Sequence, residues 1–200
     1  MDFTDLMRRM KSRGIEARAF AFREELEEAL SEEIREARTI GFGGSMTLME
    51  LGLYEKFRSM GKQVYWHWKA GPTERVEILR KAAQADVYFC SANAVTEEGR
   101  IVNIDGNGNR ISAMIFGIPK VILVVGRNKI CKDLDAAMER VRREACPPNA
   151  RRLKLNTPCV TKDCPDCRSA DRMCNITMIL EGRPNMTRMI VCFLDEDLGY

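Results

Sequence analysis

Long apolar runs are missing from this sequence of 200 residues. Its first residues, MDFTDLMRRMKSRG, are charged and typical of a helix rather than of a signal peptide. No stretch approaches the roughly 18 consecutive apolar residues that a membrane-spanning helix requires. We therefore expect a cytoplasmic protein that does not enter a membrane.

The sequence also lacks a strong excess of charge of one sign. Its 32 Lys and Arg residues nearly balance its 29 Asp and Glu residues, and the net charge of +3 is too small to indicate a nucleic-acid-binding protein. A local basic excess occurs at Arg140, Arg142, Arg143, Arg151, Arg152 and Lys154. These side chains could contact an acidic partner or a substrate carboxylate, but a solvated helix face and loop is the commoner explanation of such a run.

Histidine is nearly absent, because His67 is the only one in the chain. A Ser-His-Asp or Cys-His catalytic set would have to use it. Since it lies between Trp66 and Trp68 on a predicted strand, we expect a structural or pocket-wall role rather than that of a general base. Glu97 and Glu98 could serve acid–base chemistry, although carboxylates in a predicted turn are expected to be exposed.

Complete nucleotide-binding motifs are absent too. GFGGSMTLMELG, residues 41–52, begins like a dinucleotide fingerprint, but Met46 occupies the last glycine position and no acidic residue follows in KQVYW. No P-loop motif occurs. NIDGNGNR, residues 103–110, does not start an EF-hand, because Arg110 and Phe116 stand where that loop requires Gly and Glu. These observations argue against a nicotinamide, P-loop or EF-hand calcium site.

The two glycine-rich stretches can nevertheless bind an anion. Gly43 and Gly44 permit a sharp turn between a strand and a helix, whose free backbone N–H groups can hold a phosphate or carboxylate. Ser45 and Thr47 add hydroxyl groups. A simple structural turn, capped by Thr47 and Glu50, explains the first stretch equally well. The polar residues of the second stretch could line a pocket beside the first, and turn chemistry alone would also explain them.

Short β-branched or aromatic runs alternate with helical patterns along the chain. RTIGFGG, KQVYWHW, ADVYFCSAN and PKVILVVG are typical of strands, and PTERVEILRKAAQA is typical of a helix. This alternation predicts an α/β fold with a mainly parallel sheet covered by helices on both faces. VTEEGRIVNI predicts a hairpin. We expect a single domain over residues 1–200, since a chain of this length can build a sizeable core.

Most of the eight cysteines lie in a late segment of irregular composition, at about residues 146–175. Strand-like NITMIL and TRMIVCFL follow this segment, so it is interpreted as an insertion in the domain. Clustered cysteines in a reducing compartment more often bind metal or perform redox chemistry than form structural disulfides. The spacing C-x4-C-x2-C-x6-C suits an iron–sulfur cluster or a tetrahedral zinc site. Its members are Cys159, Cys164, Cys167 and Cys174.

Other roles for the cysteines stay open. Cys164-Pro-Asp-Cys167 resembles a redox C-x-x-C pair, but it lies in a proline-interrupted loop rather than at a helix start that would lower the thiol pKa. Cys146 could replace any one of the four ligands, and free thiols or a disulfide are the remaining alternatives. Three further cysteines are expected to be buried thiols: Cys90, Cys131 and Cys192.

Four stretches together resemble the lactate-utilisation (LUD) domain family: GFGGSMTLMELG, SANAVTEEGRIVNIDGNGNR, PKVILVVGRNKI and the ending FLDEDLGY. The resemblance covers nearly the whole chain. It implies the α/β fold shared by glucosamine-phosphate deaminase, ribose-phosphate isomerase and CoA-transferases, which bind phosphate, sugar-phosphate or CoA ligands at strand-to-helix glycine loops. The ligand-binding residues implied here are Gly43, Gly44, Ser45, Thr47, Asp105, Gly106, Asn107 and Asn109.

Some members of this family act with iron–sulfur partner subunits in the oxidation of L-lactate to pyruvate. The chain resembles short members with a cysteine-rich C-terminal segment. The resemblance implies that it binds a small anionic metabolite and assists oxidation of lactate or a similar organic acid, with an iron–sulfur cluster and a redox partner protein. Two alternatives are a stand-alone enzyme on sugar phosphates or CoA esters with a structural zinc site, and a non-enzymatic sensor or assembly subunit. The sequence leaves open whether the chain forms a homodimer.

Overall fold

The computed structural model describes residues 1–161 and 167–200. The strands in this part of the chain coincide with the β-branched and aromatic runs of the sequence, as expected from their residue types. They are β1 (Glu16–Phe20), β2 (Thr39–Phe42), β3 (Gln63–Trp66), β4 (Val87–Cys90), β5 (Ala94–Thr96), β6 (Ile101–Asp105), β7 (Lys120–Gly126), β8 (Ile130–Cys131), β9 (Ile176–Leu180) and β10 (Arg188–Leu194).

Helices separate most of these strands. They are α1 (Thr4–Ser12), α2 (Arg23–Glu33), α3 (Met46–Glu50), α4 (Leu53–Ser59), α5 (Arg75–Ala82), α6 (Asn109–Ile115), α7 (Leu134–Arg140) and α8 (Cys146–Arg152). Short 3₁₀ turns occur at Arg127–Lys129 and Pro158–Val160, and a π-turn at Val141–Ala145 joins α7 to α8. In the part of the chain described, no helix combines the length and the apolar character needed to cross a membrane.

The main sheet has six strands in the order β1-β10-β7-β4-β2-β3, and every neighbouring pair in it is parallel. This confirms the predicted α/β fold. A second sheet has the order β8-β5-β6-β9. The predicted hairpin forms its antiparallel pair β5–β6, and β9 pairs antiparallel to β6. The strand predicted from NITMIL therefore extends this small sheet rather than the main one.

Successive residues of the central strands point into two separate cores. On β7, Val121 and Leu123 belong to the core that also contains residues of α1 and α6, whereas Ile122 and Val124 belong to the core beneath α2, α3 and α4. Side chains of a strand alternate between its faces, so a sheet covered on both faces needs an unbroken apolar run. KVILVVG has this pattern because helices cover both of its faces.

Two local features differ from the sequence-based expectations. The segment expected to be irregular from residue 146 is helical through Arg152, because Pro147 and Pro148 occupy the first turn of α8, where a missing amide hydrogen costs little. The helix after the first glycine stretch is capped by Ser45 rather than by Thr47: the Ser45 hydroxyl accepts a hydrogen bond from the N–H of Leu48 at 3.3 Å. The Thr47 hydroxyl is thus available for another contact.

Candidate functional site

A cavity of about 350 Å³ lies where β2, β3, β4 and β7 end at the carboxyl edge of the main sheet. This edge is where open parallel sheets generally bind ligands, because the loops after several strands converge there. Six of the eight residues implied as ligand-binding line it: Gly44, Ser45, Asp105, Gly106, Asn107 and Asn109. The structure therefore brings the two glycine-rich stretches together in one cavity.

Gly43 and Thr47, the other two implied residues, lie behind the cavity wall. A Cβ atom at Gly43 would come within 3.2 Å of both Arg110 Cγ and Cys90 Cβ, so a larger residue here would have to displace these neighbours by a few tenths of an ångström. Thr47 is completely buried and contacts residues that do line the cavity. Both residues therefore contact side chains of the cavity wall without lining the cavity themselves.

Asp105 organises the second glycine-rich stretch. One carboxylate oxygen accepts hydrogen bonds from the backbone N–H groups of Arg110 and Ile111 at 3.0 and 2.9 Å. The other oxygen accepts a hydrogen bond from Nε of Arg110 at 3.1 Å. The Arg110 guanidinium also donates to the side-chain oxygen of Asn93 and to the carbonyl of Ile104. The pair fixes the start of α6, and its opposite charges largely compensate each other.

The cavity wall carries more basic than acidic side chains. Its acidic side chains are Asp105 and Asp171, and its basic side chains are Arg75, Arg110, Lys129, Arg152 and Arg172. A concave surface with an excess of one charge attracts ligands of the opposite charge. The electrostatics of the cavity consequently favour an anion.

His67 and Trp68 form an aromatic part of the same wall. His67 is 7% exposed, and within the described residues its Nδ1 has no hydrogen-bond partner. Burial and the nearby positive charges of Arg75 and Arg152 lower the pKa of His67 to about 4. The imidazole is therefore neutral at physiological pH.

Arg152, at the mouth of the cavity, belongs to the basic run noted in the sequence. Its guanidinium stacks over the Trp68 ring at 4.3 Å and donates to the Tyr200 hydroxyl at 2.9 Å. Arg140, from the same run, is buried and donates to the carbonyls of Asn128 and Asn93 at 2.8 and 2.6 Å. Within this basic run, Arg152 therefore lines the cavity, Arg140 stabilises the loops through its hydrogen bonds, and the other members are exposed.

Lys129 is the main residue of the cavity that the sequence did not indicate. It follows β7 in the 3₁₀ turn and is 2% exposed. Its amine donates to the hydroxyls of Thr47 at 2.8 Å and Ser91 at 3.0 Å. Burial, with the positive charges of Arg140 and Arg110, lowers the pKa of Lys129 to about 7. Ser91, at the end of β4, is likewise buried and lines the cavity.

The cysteine segment forms the opposite side of the cavity, where Ala170, Asp171, Arg172, Met173 and Asn175 contribute to the wall. Cys159 and Cys167 are buried, Cys174 is half-buried, and Cys164 lies outside the described residues. Cys174 packs beside an apolar cluster that includes Cys146, which itself lines the cavity. Across residues 1–161 and 167–200, no three His, Cys, Asp or Glu side chains are grouped closely enough to hold a metal ion.

The remaining candidates of the sequence lie elsewhere. Glu97 and Glu98 are exposed in the turn before β6 and do not line the cavity. Cys90, Cys131 and Cys192 are buried, as expected from the sequence. Burial raises the pKa of both Cys90 and Cys192 to about 12, so these two thiols are inert.

A DUF162 family protein from Deinococcus radiodurans, solved by crystallography, is similar in structure with a TM-score of 0.55 and 14% sequence identity over 97% of this chain and 99% of that one. At this identity the similarity concerns the fold. No curated protein matches the sequence significantly. The LUD domain model matches residues 4–194, so the chain belongs to the LUD domain family, and this membership indicates a function related to lactate utilisation.

Proposed function

We propose that this LUD-family protein binds a small organic acid anion, lactate or a similar acid, in the cavity and assists its oxidation beside an iron–sulfur redox partner protein. The observation that carries the proposal is the basic cavity at the carboxyl edge of the sheet, to which both glycine-rich stretches and the cysteine segment contribute. Its basic side chains suit the carboxylate group of such an acid.

The proposal includes an iron–sulfur cluster, or a zinc ion, held by Cys159, Cys164, Cys167 and Cys174. The three described members support this centre by their donor chemistry alone, because thiolates are soft ligands that suit iron–sulfur clusters and zinc. Within the described residues these thiols are not grouped around one point, so the proposal requires the segment to close around the centre when it binds. An iron–sulfur cluster would accept the two electrons that the acid releases, one at a time, and pass them to the redox partner protein. A zinc ion would instead stabilise the conformation of the cysteine segment. The protein itself binds and orients the acid.

Metal analysis tests the centre directly. Protein purified without oxygen is expected to show broad absorption at about 400 nm with stoichiometric iron and sulfide. Replacing Cys167 by Ser should reduce both contents, whereas Cys192→Ser, at a buried thiol on β10, should leave them unchanged. A colourless protein with one zinc would make the centre structural, and protein without any metal would contradict the proposed centre.

Calorimetric titration with L-lactate and pyruvate tests the ligand. Arg152→Gln removes a positive charge from the mouth of the cavity and is expected to weaken binding about three- to tenfold, since one charge-assisted contact is lost. Arg151→Gln is the matched control, because Arg151 is exposed, bonds the carbonyl of Val160 and does not line the cavity. Equal binding by both variants, or no binding by the wild-type protein, would contradict the proposal.

A phosphorylated ligand is the second candidate. The volume of about 350 Å³ lies within the range of pockets that hold drug-sized ligands, and is roomy for a three-carbon acid. The excess of basic side chains would also suit the higher charge of a phosphate group. Binding of ribose 5-phosphate or acetyl-CoA, but not of lactate or pyruvate, would favour a stand-alone enzyme on such compounds over the first proposal.

A further inference from the structure

The amine of Lys129 is buried without a direct bond to an acidic side chain among the described residues. Its hydrogen bonds in the described part of the chain are both made to hydroxyl groups, those of Thr47 and Ser91. A protonated lysine has three donors, so two bonds leave one N–H group unused. Because Lys129 also lines the cavity, this remaining donor is the one that a ligand there could use.

The charges around this amine do not stabilise its protonated form. Arg110 approaches from α6 and Arg140 from α7, and both positive charges add to burial in lowering the pKa of Lys129. Glu50 on α3 acts in the opposite direction as the weakest of these influences. The carboxylate of Asp105 is already engaged by Arg110. A buried charge without a counter-charge is costly, so an anion placed in the cavity would compensate it.

We propose that Lys129 and Ser91 form the anchoring point for the acidic group of the ligand at the inner end of the cavity, with Thr47 holding the lysine in place. This inference rests on the proposed function in that it assigns the residues that receive the acid. The ammonium and the Ser91 hydroxyl would each donate to one oxygen of a carboxylate or phosphate. Thr47 is a positioning residue, because it contacts Lys129 from outside the cavity.

Anchoring of an anion by Lys129 has a measurable consequence. In the free protein the pKa of Lys129 is about 7, and a bound anion would raise it. Above pH 7 the amine is mostly neutral before binding and protonated after it, so binding takes up a proton from solution. The affinity should consequently fall as the pH rises from 7 to 9. An amine with a purely structural role would produce neither effect.

The experiment is calorimetric titration of the full chain at pH 8 with L-lactate, pyruvate and inorganic phosphate, each in two buffers of different ionisation enthalpy. For the wild-type protein, the apparent binding enthalpy is expected to depend on the buffer as proton uptake requires. Lys129→Met should weaken binding about 10- to 100-fold, as expected for loss of hydrogen bonds to a charged group. Ser91→Ala should weaken it about three- to tenfold.

Lys129→Arg is the matched variant. Its guanidinium stays charged, so it should bind the anion without taking up a proton. Thermal melting of each variant without ligand separates a failure to fold from a failure to bind.

The outcomes separate the two proposals. Lysine-dependent binding of phosphate, without binding of lactate or pyruvate, would support the anchor and contradict the proposed substrate class. Binding of lactate or pyruvate that is unchanged in Lys129→Met and takes up no proton would overturn the anchor and leave the proposed function intact. Failure of all three probes to bind would overturn both.

Discussion

Glu33, which is half-buried, and Lys129, which is buried, are charged groups at opposite ends of the same parallel sheet, and their surroundings differ. Glu33 lies at the amino end, where its carboxylate accepts hydrogen bonds from Arg18, Lys120 and Arg188 at 2.6, 3.1 and 2.8 Å. Lys120 and Arg188 are the first residues of β7 and β10. At the carboxyl end, the bonds of Lys129 within the described residues go to neutral hydroxyls, and its charged neighbours are mainly positive.

This difference separates a charge that supports the fold from one that is available to a ligand. Burial disfavours the ionised Glu33, yet its bonds to Lys120, Arg18 and Arg188 outweigh burial and lower its pKa to about 2. The pKa of Lys129 also moves downward, but for a base this means that the charged form is destabilised. The surroundings of Glu33 stabilise its charged form, whereas those of Lys129 destabilise its charged form, which a bound anion would stabilise.

Replacing Glu33 by Gln should cause the largest loss of stability. It leaves three basic side chains at the amino end without their shared carboxylate, so the free energy of unfolding at pH 7 should fall by about 2 kcal/mol. Since the folded-state pKa of Glu33 is depressed, this stabilisation is present above pH 4.5 and is lost as the pH falls toward 2.

Urea denaturation at several pH values measures this effect. Glu32→Gln is the control, because Glu32 is exposed and pairs only with the exposed Arg35 in the described structure. If both variants were equally stable, the hydrogen bonds of Glu33 with Arg18, Lys120 and Arg188 would not stabilise the fold.

The pair Lys129→Met and Lys120→Met makes the same chemical change at the two ends of the sheet. The unfolded chain binds the lysine proton more tightly than folded Lys129 does between pH 7 and 10.5, so burial of this amine lowers stability most at the lower pH. Relative to wild type, Lys129→Met should therefore gain roughly 2–3 kcal/mol in unfolding free energy at pH 7 compared with pH 9.5, since the difference in proton binding spans about two pKa units.

Lys120→Met should instead lose stability at both pH values, because it breaks the bond to Glu33. Urea denaturation of both variants at pH 7 and 9.5 checks the contrast. An equal response of the two lysines to pH would show that their environments do not differ in the way described.

The smallest effect is a shift in the pKa of His67, which reports the positive potential of the cavity. As the only histidine, it gives a single pair of imidazole signals in an NMR titration. Its midpoint should lie near 4, below the ordinary value of about 6.5. Arg152→Gln should raise this midpoint by less than about one pH unit, since one nearby positive charge is removed.

Arg151→Gln should leave the titration of His67 unchanged. A midpoint near 6.5 in the wild-type protein would mean that His67 is neither buried nor close to a positive cavity wall.

The main elements of the fold could be predicted from the sequence because their signals are local. The apolar run of β7 and the glycine turn after β2 specify a buried strand and a strand-to-helix connection without reference to the rest of the chain. The helix at α8 could not be predicted in this way, since two prolines usually end a helix. Only their placement in its first turn, directly after the π-turn that follows α7, makes them compatible with it.

The candidate site was predictable only in part for a similar reason. Glycines and polar turn residues indicate a loop that can approach a ligand, and six of the eight implied residues do line the cavity. Lys129, in GRNKI, has the sequence context of an ordinary solvated turn lysine. Its burial arises from packing against Thr47 and Ser91, which precede it by 82 and 38 residues. Such a contact leaves no local pattern in the sequence.

The position of β10 in the sheet has a consequence for the order of folding during synthesis. β10 lies between β1 and β7, and β1 is the edge strand beyond it. Residues 16–20 emerge early from the ribosome but pair with residues 190–194, so β1 must wait for nearly the whole chain. Contacts of such long sequence separation form slowly. A nascent chain ending before β10 would therefore leave the edge of β7 unpaired, and this exposed edge could pair with other chains until β10 is inserted.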